Sequence, residues 1–126
     1  MSKILLVEDD KNQALLYEQE LEAEGYEVEV ADNGREACEM VESVDPDIVV
    51  MDISMPGMDG IEAMGRMLSK HNKLPVILNT AYSSYKDNFL SWSADAYVIK
   101  SSDLSDLKDT IEKLLKSSKA SEEETE

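Results

Sequence analysis

An α/β domain, with a parallel sheet covered by helices on both faces, is predicted by three observations. Short apolar runs recur at 4–7, 28–31, 48–51, 76–78 and 97–99, each bounded by polar, Gly or Pro residues. Stretches of helical period separate them, so strand alternates with helix, as parallel strands joined by right-handed crossovers require. The 126 residues, 42% of them hydrophobic, suit one domain that buries a core without disulfides or metal staples.

The elements follow in order. The first strand is Ile4, Leu5, Leu6 and Val7, and the first helix spans about 12–24, with Ala14, Leu15 and Leu21 on its core face. Gly25 stops it, a suitable residue just past a helix end. Residues 27–31 alternate Glu, Val, Glu, Val, Ala, which fits an edge strand. Asn33 and Gly34 open a second helix at about 35–43. Between Asp47 and Asp52 the chain is apolar on both pleat faces, the mark of a central strand buried on both sides. Pro56, Gly57, Asp59 and Gly60 read as a turn into a third helix bearing Ile61, Met64, Met67 and Leu68. After the fourth strand, Tyr85, Phe89 and Trp92 stand at i, i+4 and i+7 on a fourth helix, where core packing is the simpler explanation and partner docking the other. Leu104, Leu107, Ile111, Leu114 and Leu115 stripe a final helix behind a cap at Ser102 or Asp103. Past Lys116 the pattern ends. Residues 118–126, with Glu122, Glu123, Glu124 and Glu126, are expected to form an acidic disordered tail on a domain spanning 1–117.

Charge narrows the function. The chain carries 28 Asp and Glu against 12 Lys and Arg, a formal charge of −16. Such a surface repels phosphate backbones and anionic membranes, so neither a nucleic acid nor a membrane is an expected partner. The single Cys38 cannot form an internal disulfide. The leading apolar run is only four residues long, too short for a signal core or a membrane span, and a cytoplasmic protein is expected. At this length no separate output domain is expected, so the domain should act by touching another protein.

Chemistry gathers at the strand ends. Open α/β sheets bind ligands beyond the carboxyl ends of their strands, where the strand order reverses. In the flavodoxin-like order 2-1-3-4-5 the first and third strands flank that point. Glu8, Asp9 and Asp10 directly follow the first strand and Asp52 follows the third, so three or four carboxylates converge there. Two unit charges about 4 Å apart repel by roughly 4 kcal/mol at an effective dielectric of ~20. A hard divalent ion relieves this, and a site with few carboxylates and retained waters describes Mg2+ better than Zn2+ or Ca2+. Acids at strand ends also do something plainer, capping the next helix. Thr80 ends the fourth strand and Lys100 the fifth, so a hydroxyl and an ammonium join the same rim and could cradle a phosphoryl group.

Four segments, 4–10, 47–60, 75–81 and 94–100, in their order and spacing resemble the receiver domains of two-component response regulators, over essentially all of 1–117. The resemblance implies a stand-alone receiver that takes a phosphoryl group on Asp52 from a sensor histidine kinase or a histidine phosphotransfer protein. It implies Asp9 as a direct Mg2+ ligand, Glu8 holding the ion through water, and Asp52 with the Ser54 carbonyl completing the protein ligands. Thr80 would bond a phosphoryl oxygen and Lys100 would pair first with the carboxylate and then with the phosphoryl group. Tyr97, three residues before the Lys, would move with Thr80 and pass the signal to a protein target through the fourth helix, fifth strand and fifth helix. Such a protein assists its own phosphorylation and dephosphorylation and is not otherwise an enzyme. An Asp nucleophile suits the task, because a carboxylate is ionised at neutral pH and needs no general base.

Some residues depart from that pattern. Ser101 follows Lys100 where the family usually has a cis Pro, so the peptide is expected either trans with a shifted loop or cis and strained. Ser93 stands where Gly is common, and the stretch from Thr80 to Tyr97 is short by about half a helical turn. These departures motivate an alternative: a docking module that keeps the fold and binds independently of phosphorylation. A hydrolase or flavin binder on the same fold ranks lower, since Ser54 stands where a hydrolase would carry a second acid and the first loop lacks a Gly run. His71, in a polar stretch away from the acids, is expected to be exposed.

Overall fold

In the computed structural model the chain is described at residues 2–52, 60–71, 73–80, 94–101 and 103–124, with the backbone alone at 60–64 and 118–124. Its elements are β1 (Lys3–Val7), α1 (Lys11–Ala23), β2 (Glu27–Ala31), α2 (Gly34–Val44), β3 (Ile48–Met51), α3 (Gly60–Lys70), β4 (Val76–Thr80), β5 (Ala96–Ile99) and α4 (Ser105–Glu124). The strands form one parallel sheet in the order β2-β1-β3-β4-β5. The fold class read from the sequence is the one observed. The fourth helix expected at Tyr85, Phe89 and Trp92, the turn at 56–59, Ser93 and the Ser102 cap lie outside the described residues.

Alternation along the central strands builds the three layers. Successive side chains of a strand point to opposite faces. On one face Leu5, Val7, Val49, Met51, Val76 and Leu78 pack with Ala37 and Val41 of α2 and Met67 of α3. On the other, Ile4, Leu6, Ile48, Val50 and Ile77 pack with Ala14, Tyr17 and Leu21 of α1 and Leu107, Ile111 and Leu115 of α4. β3 is buried at all four positions, whereas β2 at the edge exposes Glu27 and Glu29.

Local chemistry sets the helix ends. Asp10 accepts hydrogen bonds from the Asn12 and Gln13 N–H groups at the start of α1, and Asn33 accepts from Glu36 N at the start of α2. Gly25 follows α1 with φ +98°, a conformation that side chains rarely adopt. Just ahead of α4, Asp103, one of the two expected caps, accepts from Ser105 N at 2.9 Å and from its hydroxyl at 2.6 Å.

Three expectations are corrected. Leu15 is 53% exposed and Leu16 47%, while Tyr17 is buried. The face of α1 that meets the sheet is the i, i+3, i+7 stripe of Ala14, Tyr17 and Leu21, and Leu15 lies about 100° round the helix from Ala14. The backbone of the final helix continues through 117–124 instead of ending near Lys116. Lys, Ala and Glu are good helix formers, and once a helix is nucleated each added residue costs little. His71 is only 35% exposed, its ring nitrogen 3.2 Å from Glu42 Oε1 on α2.

Candidate functional site

Each central residue of the site stands one position beyond a strand, where it continues the sheet's hydrogen bonding. Glu8 N donates to Ala31 O, Asp52 N to Val7 O, and Lys100 N to Thr80 O at 2.7 Å. The ladder therefore fixes three backbones at the carboxyl edge before any side chain is considered. Thr80, the last residue of β4, is fully buried beside them.

The side chains meet around one ammonium. Lys100 Nζ donates to Glu8 Oε2 at 2.7 Å, Asp52 Oδ2 at 2.8 Å and Gln13 Oε1 at 2.7 Å. Side-chain exposure is 13% for Lys100, 3% for Glu8 and 10% for Asp52, so these charges face one another largely out of water. Burial pushes the Glu8 carboxyl above its ordinary range, partly offset by the hydrogen bond from Lys100. Burial also works against the charge on Lys100, but the hydrogen bonds to Asp52 and Glu8 outweigh it and raise the ammonium above its usual value.

Carboxylate oxygens of Glu8, Asp9 and Asp52 lie within 4.8 Å of one another, with Asp9 exposed at the mouth. Three carboxylates against one ammonium leave a formal charge of −2. Oxygens this close could share one hard divalent ion, directly or through a retained water. The all-oxygen donor set fits a hard cation. Asp10, the remaining acid of the run, is occupied in capping α1, as the plainer reading of strand-end acids has it.

Of the residues expected here, Glu8, Asp9, Asp52, Thr80 and Lys100 come to one edge, and Ser54 lies outside the described residues. Tyr97 sits on β5 opposite Leu78 in register, half-buried against the core on the α2 and α3 side. The peptide bonds of the described residues are trans, Lys100–Ser101 included. Gln13 is the residue that sequence reasoning missed. Its spacing was a faint signal: a Gln three residues after a capping residue ordinarily reaches back to the cap's own N–H. Here Glu8 Oε1 takes the Asp10 N–H at 3.2 Å, and the Gln13 amide turns to Lys100 instead.

Comparison with known proteins gives a consistent picture. The family described as response regulator receiver domain matches residues 4–112. Regulatory protein AtoC of Escherichia coli (strain K12) is 38% identical over 117 residues, 91% of this chain and 25% of that protein. Response regulator ArlR of Staphylococcus saprophyticus is 34% identical over 118 residues, 92% of this chain and 53% of that protein. The chain thus spans a quarter to about half the length of these curated relatives. Among solved structures, the response regulator TrrA of Thermotoga maritima in complex with Mg2+-BeF is 43% identical, with a TM-score of 0.89 over 90% of this chain and 99% of that one. TrrA in complex with the histidine kinase ThkA superposes with a TM-score of 0.86 at 43% identity, over 91% of this chain and 99% of that one.

Proposed function

The chain belongs to the response regulator receiver domain family of two-component signalling, and from that premise we propose that it accepts a phosphoryl group on Asp52 with the help of Mg2+. One observation carries the reading: the Asp52 carboxylate lies within 4.8 Å of two other acids and is hydrogen-bonded at 2.8 Å to a nearly buried ammonium. Glu8, Asp9, Asp52 and the Ser54 carbonyl would hold the ion, which supplies charge neutralisation to phosphoryl oxygens when bound.

The remaining work belongs to the chain. A carboxylate oxygen of Asp52 attacks phosphorus in line. The new O–P bond forms as the P–N bond to the donor's imidazole breaks, and its electron pair leaves with the imidazole. Lys100 is held at the attacking carboxylate, where its charge offsets that gathering on the phosphoryl oxygens. Thr80, at the adjacent strand end, contributes its hydroxyl to one of them. The product is an acyl phosphate, open to hydrolysis, so the mark is temporary and the domain turns over no separate substrate.

The donor would be a sensor histidine kinase or a histidine phosphotransfer protein, in keeping with the kinase complex of TrrA. The output would be altered binding to a protein through the face that includes β5, where Ile99 is 43% exposed. A formal charge of −16 disfavours nucleic acid and anionic membrane as partners. Among the described residues no helix is long and apolar enough to cross a membrane, and the setting we propose is the cytoplasm.

A small acyl phosphate with Mg2+ tests the assignment. Intact mass should show one added phosphoryl group on the wild type and none on Asp52→Asn; equal labelling of both would exclude Asp52 as acceptor. Partner capture that ignores both Asp52→Asn and Mg2+ removal would favour the phosphorylation-independent docking module.

A further inference from the structure

Lys100 Nζ directs its three N–H groups to Glu8, Asp52 and Gln13 at 2.7–2.8 Å. Two of these acceptors have other duties on the phosphoryl-acceptor reading, on which this inference rests. Glu8 and Asp52 would also hold the Mg2+ ion, and Asp52 yields its place at the ammonium when Lys100 pairs with the arriving phosphoryl group. Gln13 has no second claimant. Its amide oxygen is neutral, and a hard cation with the three carboxylates of Glu8, Asp9 and Asp52 at hand has no need of it. Of the three bonds, the one to Gln13 is therefore the one that neither the ion nor the phosphoryl group contests.

We propose that Gln13 is a positioning residue whose bond to Lys100 persists while the ammonium exchanges the Asp52 carboxylate for the phosphoryl group, so that it promotes phosphoryl uptake. The sheet order creates the need. Lys100 follows β5 and Asp52 follows β3, with β4 between them, so a flexible four-carbon stem carries the ammonium across a strand to its target. Held by the two acids alone, its position would follow theirs as they close on an ion. A neutral anchor on α1 fixes it independently of the metal. The fold leaves Gln13 available for this. Its backbone N–H is held by the Asp10 cap at 3.1 Å, while Glu8 Oε1 occupies the Asp10 N–H that a capping-box Gln would otherwise bond. The side chain is half-buried on the first turn of α1, and its amide oxygen is the atom that faces Lys100.

Two variants of similar shape separate this role from a structural one: Gln13→Met removes the acceptor, and Gln13→Glu keeps an acceptor oxygen at the same reach. Labelling by a small acyl phosphate at saturating Mg2+ should run about 3–10-fold slower in Gln13→Met and stay within about twofold of the wild type in Gln13→Glu. Equal slowing of both variants, or no slowing in Gln13→Met, would overturn the proposal. A metal-free readout stands beside the rates: the Lys100 15Nζ resonance should shift in Gln13→Met and its protons should exchange faster with water. An unmoved resonance overturns the proposal even if the rates differ. The shift between wild type and Gln13→Met should survive when Mg2+ and beryllium fluoride stand in for the phosphoryl group on Asp52. A shift present in the free protein and lost in that state would mean that the amide lets go, and would refute the persistence. If the wild type takes no label at Asp52, the phosphoacceptor reading falls and this inference with it; a labelled wild type with a Met variant no slower refutes the Gln13 role alone.

Discussion

Replacing Lys100 by Met keeps most of the aliphatic stem and removes the ammonium to which three side chains turn their oxygens. Glu8 at 3% exposure and the Asp52 side chain at 10% cannot recover full hydration in its place. Two carboxylates 4.8 Å apart, the outer limit within this cluster, repel by about 3.5 kcal/mol at an effective dielectric of ~20. Removing one member of a buried pair typically costs 3–5 kcal/mol, in roughly the same range. The lower end applies, because burial already pushes the Glu8 carboxyl upward and a proton taken there limits the penalty. The expected loss is therefore about 3 kcal/mol, a large part of a total stability of ~5–15 kcal/mol. Urea unfolding at neutral pH in metal-free buffer reads it directly. Repeating the titration with saturating Mg2+ should restore more stability to the variant than it adds to the wild type, since the cation replaces the missing positive charge. A metal-free loss below about 1 kcal/mol would place Lys100 with ordinary exposed ion pairs and refute the reasoning.

Other perturbations test the frame around the site. Ile111→Ala, at a fully buried position of α4, should cost about 2–5 kcal/mol, whereas Leu15→Ala on the exposed side of α1 should stay within ~0.5 kcal/mol; equal losses in denaturant would mean that α1 packs by a different face. The glycines predict opposite signs. Gly25→Ala should destabilise by about 1–2 kcal/mol through its φ of +98° alone, since an added Cβ meets nothing, and Gly65→Ala within α3 should stabilise by about 1 kcal/mol in the same open space. Thermal melts that move in one direction for both would contradict this. Hydrogen bonds from the Ser105 hydroxyl and N–H hold the Asp103 carboxyl below its ordinary value. Its stabilising effect is present above the unfolded value near ~3.9 and lost as pH falls through the lower folded value. The wild type should accordingly exceed Asp103→Ala in stability at pH 7 and converge with it in strong acid, and a gap that persists unchanged in acid would rule the cap's charge out as the cause.

Much of this was legible in the chain itself, for reasons of period and end chemistry. The apolar runs of β1 and β3, buried at every position from Ile4 to Val7 and from Ile48 to Met51, dictate central strands because a strand covered on both faces has no polar side to offer. Glu8, Asp9, Asp52, Thr80 and Lys100 sit at run ends, and in a parallel sheet the ends of all strands share one edge. Their convergence follows from topology without knowledge of any side-chain rotamer.

Other features depended on information that lies far apart in the chain. Ala14, Leu15 and Leu16 are comparably apolar, so only the docking of α1 on the sheet decides that Ala14 and Tyr17 are buried and the leucines exposed. Local pattern marks where the apolar stripe of α4 stops, but the backbone keeps its helix beyond it because propagation needs no packing partner. Gln13 and Lys100 are 87 residues apart, and their bond arises because Glu8 has already claimed the cap's N–H. Periodicity and strand-end chemistry thus determined the fold and the membership of the acidic rim. Which acceptor meets which donor was decided by the tertiary structure alone, because each hydrogen of one buried ammonium must be shared among side chains that only the closed sheet brings within reach.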